Sequence, residues 1–345
     1  MNDNDRYWDC LDQAMEASHG GRTEEALQWL DEALKAHPHG AEAHNSRGEI
    51  LWDEGKIEDS LREFDDSTRA DPKFLAAHLN RIELFIEELA RYEEALQECD
   101  RLLSGTAELA RPDRAGEAEI YYLKAKALFY LDDLEGALFL VRRALKTVGE
   151  HATYRAFDGQ LNFELGRFEE ARPLLEQAVA LDHDSAHGLY HLGLVLERLG
   201  DAERSSACFA RANALDPDHY GLPVEITDGD FERAAAAALE NLPRSIREYV
   251  EDVPLLIEEF PSRELTLEEN LSPQILGLYQ GRPRTEAAVT EQPHDISRVI
   301  LFKKNLEKVC RSPEDLIEQI QVTVKHEIGH HLGLDEDDLE RLGLA

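Results

Sequence analysis

From about residue 7 to residue 219, apolar and small residues recur at helical spacing in paired blocks, and the pairs repeat about every 34 residues. Gly21, Gly55, Ala90, Asp132, Gly166 and Gly200 mark one recurring turn. Five residues later stand Ala26, Ser60, Ala95, Ala137, Ala171 and Ser205, and four further on Leu30, Phe64, Cys99, Val141, Leu175 and Phe209. Gly48, Gly159 and Gly193 share a place in the first helix of their units, and Pro38, Pro72 and Pro217 close three of them. This register predicts six helix pairs, beginning near residues 7, 41, 76, 118, 152 and 186. An insertion at about 104–116, with Gly105, Pro112 and Gly116, predicts a loop between the third and fourth pairs. Each unit carries two amphipathic helices that cannot bury their apolar faces alone, so stacked neighbours must complete a shared core.

These positions resemble the tetratricopeptide repeat, with its Gly/Ala…Ala…Phe…Ala…Pro spacing. The resemblance implies a concave groove lined by the first helix of each repeat, with a protein or peptide as its partner. Leu11, Asn45, Trp52, Lys126, Phe163 and Leu194 are among the residues at groove-type positions, although an aromatic at helical spacing packs in the core by default. The Lys/Asn set that captures C-terminal carboxylates in some chaperone-binding members is absent, which argues against a chaperone-tail adaptor. His187 and His191 stand four apart, but Gly188 follows the first and both fit repeat positions, so a polar helix face is expected.

Past Asp216-Pro217 the period stops, and Gly221-Leu222-Pro223 marks an expected boundary between residues 1–220 and 221–345. Residues 230–241 predict a helix with an alanine run, and Asn241-Leu242-Pro243 starts another, to about residue 251. Residues 253–260, apolar in their first half and stopped by Pro261, predict a strand. Residues 261–275 and 284–295 predict polar loops around a compact turn-forming stretch at 276–283. Residues 298–303 predict a short strand that could pair with an extended peptide, as sheet edges do. A long helix from residue 313 to 332, N-capped by Ser312 with Pro313 at its first position, and a short helix near 337–342 complete the series. The chain is therefore expected to be mainly α: an α-solenoid of about six helix pairs, followed by a small α+β domain.

The chemistry concentrates on that long helix. His326-Glu327-Ile328-Gly329-His330 places two imidazoles four residues apart, one above the other on one face, where both can bind one zinc ion. Glu327, beside the first ligand, can reach a metal-bound water as general base. Gly333 allows the helix to end in the left-handed conformation. The acidic run that follows, Asp335 to Asp338, can return a carboxylate to the metal as third ligand. His331 points about 100° away from the ligand face.

Residues 230–342 resemble the minimal zincin-like metallopeptidase family of bacteria. The resemblance rests on Leu242-Pro243, on Gly277-Leu278-Tyr279-Gln280-Gly281-Arg282-Pro283, on Ile300-Leu301-Phe302 before a long helix, and on the ending from His326 to Gly333 followed by acids. It implies a small sheet packed on the active-site helix and a zinc ligand from an acid. In the longer metzincin pattern that ligand lies three residues after the glycine, which here is Glu336. The small family usually has Asp there, so Asp335 and Asp337 remain alternatives. No Met-turn is present, since the methionines are Met1 and Met15, and the lower half of a full protease cleft is expected to be missing. Tyr279 is a further candidate, because a loop tyrosine can donate to a developing oxyanion; simple packing of the turn is its plainer use.

Charge narrows the partners. With 37 Lys and Arg against 72 Asp and Glu, the formal net charge is −35, which argues against nucleic acid and anionic membranes and is compatible with basic or peptide partners. No stretch approaches the roughly 18 apolar residues of a spanning helix. Residues 1–5 are acidic and polar, without the basic start and apolar run of a leader, so a cytoplasmic setting is expected. Four scattered cysteines without a Cys-x-x-Cys are expected as buried, reduced thiols. Two functional readings follow. In one the protein is a zinc-dependent metallopeptidase whose array binds protein substrates or partners, favoured by the intact Glu327. In the other it is a non-catalytic interaction scaffold with a degenerate or structural zincin module, favoured by the missing lower cleft.

Overall fold

The structure, a computed structural model, describes residues 2–105, 112–242, 247, 253–268, 271–281 and 298–334. Packing divides the chain into two units, Met1–Asp158 and Gly159–Ala345. The first unit holds α1 (Asp3–His19), α2 (Thr23–Ala36), α3 (Ala41–Asp53), α4 (Ile57–Ala70), α5 (Leu75–Glu87), α6 (Tyr92–Ser104), α7 (Arg114–Tyr130) and α8 (Leu134–Val148). Helix α9 (Ala152–Glu164) crosses the division, and α10 (Phe168–Leu181), α11 (Ala186–Arg198) and α12 (Ala202–Leu215) continue the series. These are the six helix pairs that the periodicity predicts.

The turn register is realised in the backbone. Gly21, Gly55, Ala90, Asp132, Gly166 and Gly200 all adopt left-handed conformations, with φ of 69°, 71°, 49°, 61°, 68° and 81°. In five of the six, the next residue's amide bonds a carbonyl five residues back, as Lys56 does to Leu51 and Asp201 to Leu196, at 2.9 Å each. That is the Schellman ending of a helix, which a glycine enters without steric cost. At Ala90 the bond reaches six back, from Arg91 to Phe85. The shared first-helix glycines mark close approaches: a Cβ on Gly48 would lie 2.6 Å from the Phe64 ring, and one on Gly193 2.7 Å from Phe209. Ser60 and Ser205 clasp the same contacts, donating to the Gly48 and Gly193 carbonyls at 2.8 Å.

Several groove-type positions are used for this packing instead. Leu11, Asn45, Phe163 and Leu194 are buried between helices and present no surface to a partner. Trp52 and Lys126 stay partly open; Trp52 donates to Glu88, and Lys126 pairs with Glu87 at 2.5 Å. Of the predicted insertion, residues 106–111 lie outside the described residues; Asp113 caps α7 by accepting from the Gly116 amide. Cys10, Cys99 and Cys310 are buried free thiols and Cys208 is half-buried. Desolvation pushes the Cys99 thiol up to about 12 and that of Cys310 to about 11.

After α12 come α13 (Asp228–Glu240), β1 (Leu255–Glu258), α14 (Arg263–Glu268), β2 (Gly277–Gln280), β3 (Arg298–Phe302), α15 (Lys303–Val309) and α16 (Pro313–Leu332). The sheet order is β1-β3-β2, with β1 parallel and β2 antiparallel to β3. This differs from the sequence expectation in three ways. The stretch read as a turn contains strand β2. The segments read as loop or left unassigned contain the short helices α14 and α15. Strand β3 is central, its hydrogen-bonding edges taken by β1 and β2, so it cannot accept a peptide. It is buried on both faces, since Val299 to Phe302 are all buried, and a short strand of that kind carries no alternation to mark its place in the sheet. Of the helix expected from about 241 to 251, only residues 241, 242 and 247 are described, and the helix expected at 337–342 lies outside the described residues. The core here joins Phe231, Ala235 and Ala238 of α13 to Val299 and Leu301 of β3 and to one stripe of α16.

Two glycine variants separate the two constraints. Gly200→Ala has free space for its Cβ and meets only the left-handed backbone, so it should destabilise by about 1 kcal/mol. Gly193→Ala must displace Phe209 and should cost about 1–3 kcal/mol. In thermal unfolding, adding Phe209→Leu should recover part of the Gly193→Ala loss and none of the Gly200→Ala loss.

Candidate metal centre

Helix α16 is fixed at both ends by its own sequence. Ser312 caps the start, its Oγ accepting from the Asp315 amide at 3.1 Å, while Asp315 accepts from the Arg311 amide at 2.7 Å. At the other end Gly333 sits at φ 80°, its amide bonding the His330 carbonyl, and the Leu334 amide bonds that of Gly329. The helix therefore stops in the left-handed glycine turn expected from its sequence.

Leu316, Ile320, Val324 and Ile328 recur every four residues and are all buried against the sheet and α13. Burying that stripe sets the rotation of the helix. It carries Thr323 and Glu327 inside and leaves His326 and His330 half-buried at the margin. The two Nε2 atoms converge to 3.1 Å. Two nitrogens bound to one tetrahedral zinc at about 2.0–2.1 Å lie roughly 3.3 Å apart, so this pair already has the spacing of a shared ion.

Glu327 is held by the sheet. The backbone amide of Tyr279 donates to its Oε2 at 2.5 Å. The bond is possible because the Phe302 amide bonds the Leu276 carbonyl at 2.9 Å. From that pair, even-numbered β2 residues bond β3 and odd-numbered ones turn their amides to the open edge. Gly277 makes the close approach possible: a Cβ there would lie 2.7 Å from Thr323 Cγ2 and 3.1 Å from Glu327 Cγ. Sequence reasoning brought Tyr279 to the site for its hydroxyl. The structure brings it there through its main chain, while its side chain packs against the core. Gly277 was missed as a site residue; a glycine opening a strand was the available signal, since it marks close backbone approach.

Glu336, Asp335 and Asp337 lie outside the described residues. Among the described residues, no group of three or more His, Cys, Asp and Glu side chains is placed to hold a metal ion.

Residues 250–344 match the family model of the zincin-like metallopeptidases. Tetratricopeptide-repeat models match residues 11–64, 47–113, 159–200 and 186–219. The chain joins tetratricopeptide repeats to a zincin-like metallopeptidase domain. No curated protein matches it. Among solved structures, PilF of Pseudomonas aeruginosa is 15% identical with a TM-score of 0.52, covering 63% of this chain and 94% of its own. PilW, described as a type IV pilus biogenesis factor, is 17% identical with a TM-score of 0.53, covering 61% and 94%. At these identities the likeness is one of fold, that of the repeat array. Among the described residues no helix is long and apolar enough to cross a membrane.

The other histidine pair of this tetratricopeptide-repeat zincin is built differently. His191 is buried, not on a polar face as expected, and its Nδ1 contacts the His187 carbonyl at 3.0 Å. Burial, and then the neighbouring His187, hold its pKa well below the usual imidazole value. A neutral buried imidazole that becomes charged on unfolding costs no stability above about pH 6.5 and lowers it as pH falls below that value. Between pH 7 and 5, His191→Gln should flatten the loss of stability seen in the wild type, by up to about 1.4 kcal/mol per pH unit. Denaturant titrations at four pH values would measure this.

Proposed function

We propose that this protein is a zinc-dependent peptidase whose repeat array binds protein or peptide substrates. The convergence of His326 and His330 to the spacing of a zinc edge, with a buried carboxylate on the adjoining position, carries the reading. His326 and His330 would hold the ion as neutral imidazoles, with Glu336 as third ligand and Asp335 or Asp337 as its alternatives. Zinc, when bound, lowers the pKa of a coordinated water to about 7 and polarises a substrate carbonyl. Glu327 accepts the proton of the attacking water and returns it to the leaving amine. The Tyr279 amide orients that carboxylate. The Tyr279 hydroxyl remains a candidate donor to a developing oxyanion. An extended substrate would have to pair along a sheet edge, and β2 is the edge strand bonded to Glu327.

Glu327→Gln should keep about one zinc per chain and lower cleavage of a peptide library at least ~100-fold. His330→Ala should lose the metal. Glu336→Ala should lose it too, and retention there would move the third ligand to Asp335 or Asp337. Elemental analysis beside the cleavage screen reads all three. A wild type that takes up no zinc after reconstitution would discard the peptidase and leave the interaction scaffold.

A further inference from the structure

The last two repeats carry charged residues at the C-terminal ends of their first helices, Glu164 buried and Glu197 and Arg198 half-buried; Arg198 also lies over the Phe168 ring of α10. Arg198, closing α11, donates from Nη1 to the Pro261 carbonyl at 3.2 Å and from Nη2 to the Pro273 carbonyl at 2.5 Å. Its guanidinium lies 4.4 Å from the centre of the Phe260 ring. Beside it Glu197 accepts from Lys308 of α15 at 2.6 Å. One repeat earlier, Glu164 at the end of α9 accepts from Ser272 Oγ at 2.8 Å and from Gln274 Nε2 at 2.7 Å. Desolvation draws the Arg198 pKa down to about 10 and raises that of Glu164. Buried charge of this kind is tolerated only where hydrogen bonds satisfy it, and here the partners belong to the segments that follow β1 and precede β2.

From Pro273 the contacts run without a gap to the candidate metal centre. Asn305 Nδ2 holds the Pro273 and Ile275 carbonyls at 2.8 Å each. The next residue, Leu276, is bonded by the Phe302 amide. Gly277 then lies against Glu327, and Tyr279 donates to it. Whatever fixes residues 272–275 fixes where β2 begins.

We propose that Arg198 and Glu164 are positioning residues of the zincin-like domain. By fixing residues 271–276 they set the point at which β2 presents the Tyr279 amide to Glu327. The fifth and sixth repeats are then framework of the site as well as a means of binding partners. The structural half of this proposal stands without catalysis; its kinetic half rests on the peptidase reading.

The test is hydrogen exchange on the full chain, read by mass spectrometry, for wild type, Arg198→Met, Arg198→Lys and Glu164→Gln, with the exposed Arg204→Met as control. Arg198→Met should speed exchange at 271–280 about tenfold and leave α13 and the first half of α16 unchanged. Arg198→Lys should fall between, because an ammonium cannot hold both carbonyls as the planar fork does. Arg204→Met should match wild type. Unchanged exchange at 271–280, or an increase spread evenly over α11 to α16, would overturn the proposal. Should Arg198→Met fail to fold, Arg198→Lys and Glu164→Gln decide it by the same two outcomes. On a short peptide, Arg198→Lys should lower kcat with KM unchanged, since Glu327 loses a donor that fixes its orientation. A raised KM with kcat unchanged counts against the proposal. A wild type that cleaves nothing removes the peptidase reading, and exchange alone then judges the positioning.

Discussion

The site depends on burying one stripe of one helix. Leu316, Ile320, Val324 and Ile328 face the sheet and α13, and a helix buried along a single stripe has no rotational freedom left. His326 and His330 then come to the margin, and Glu327 comes inside, where the Tyr279 backbone amide meets it. The arrangement separates two demands on adjacent residues. The histidines stay accessible, and the carboxylate is held in one orientation.

Much of the architecture was legible because it rests on local backbone chemistry. A left-handed turn after a first helix needs glycine or an exception, and four glycines at one spacing were enough to place Ala90 and Asp132 in the same register. Gly333 was legible for the same reason. The paired histidines were legible because four residues is a helical interval, whatever surrounds it. What escaped the sequence is tertiary. Residues 277–280 read as a turn because four residues opened by Gly277 and followed by Gly281 carry no periodicity, and they became a strand only because β3 lies beside them. Strand β3 looked like an available edge because nothing in Arg298 to Phe302 says how many neighbours it has. Tyr279 was singled out for its hydroxyl; that its amide also bonds Glu327 is invisible in a sequence. Asn45, Phe163 and Leu194 fell at groove positions by register, but burial between helices withdraws them from any surface.

The repeats and the metallopeptidase fold are commonly separable ideas, one for recruitment and one for chemistry. Here the fifth and sixth repeats share hydrogen bonds with the strand-flanking segments of the zincin-like domain through Glu164, Glu197 and Arg198. The fifth and sixth repeats are therefore hydrogen-bonded to the segment that leads into β2, the strand bonded to Glu327.

The Glu197–Lys308 contact has a consequence for ionic strength. Many ion pairs on the array, such as Arg62–Asp59 and Arg69–Asp66, are exposed pairs within one helix, weakened by dissolved ions. Lys308 leaves only 5% of its side chain exposed and Glu197 19%, so counter-ions have little access to their contact. In a chain of net charge −35, dissolved salt relieves the mutual repulsion of the acidic surface and loosens its exposed pairs together. The joint between the sixth repeat and α15 is screened far less than those pairs, and so is the part of this surface that brine loosens least.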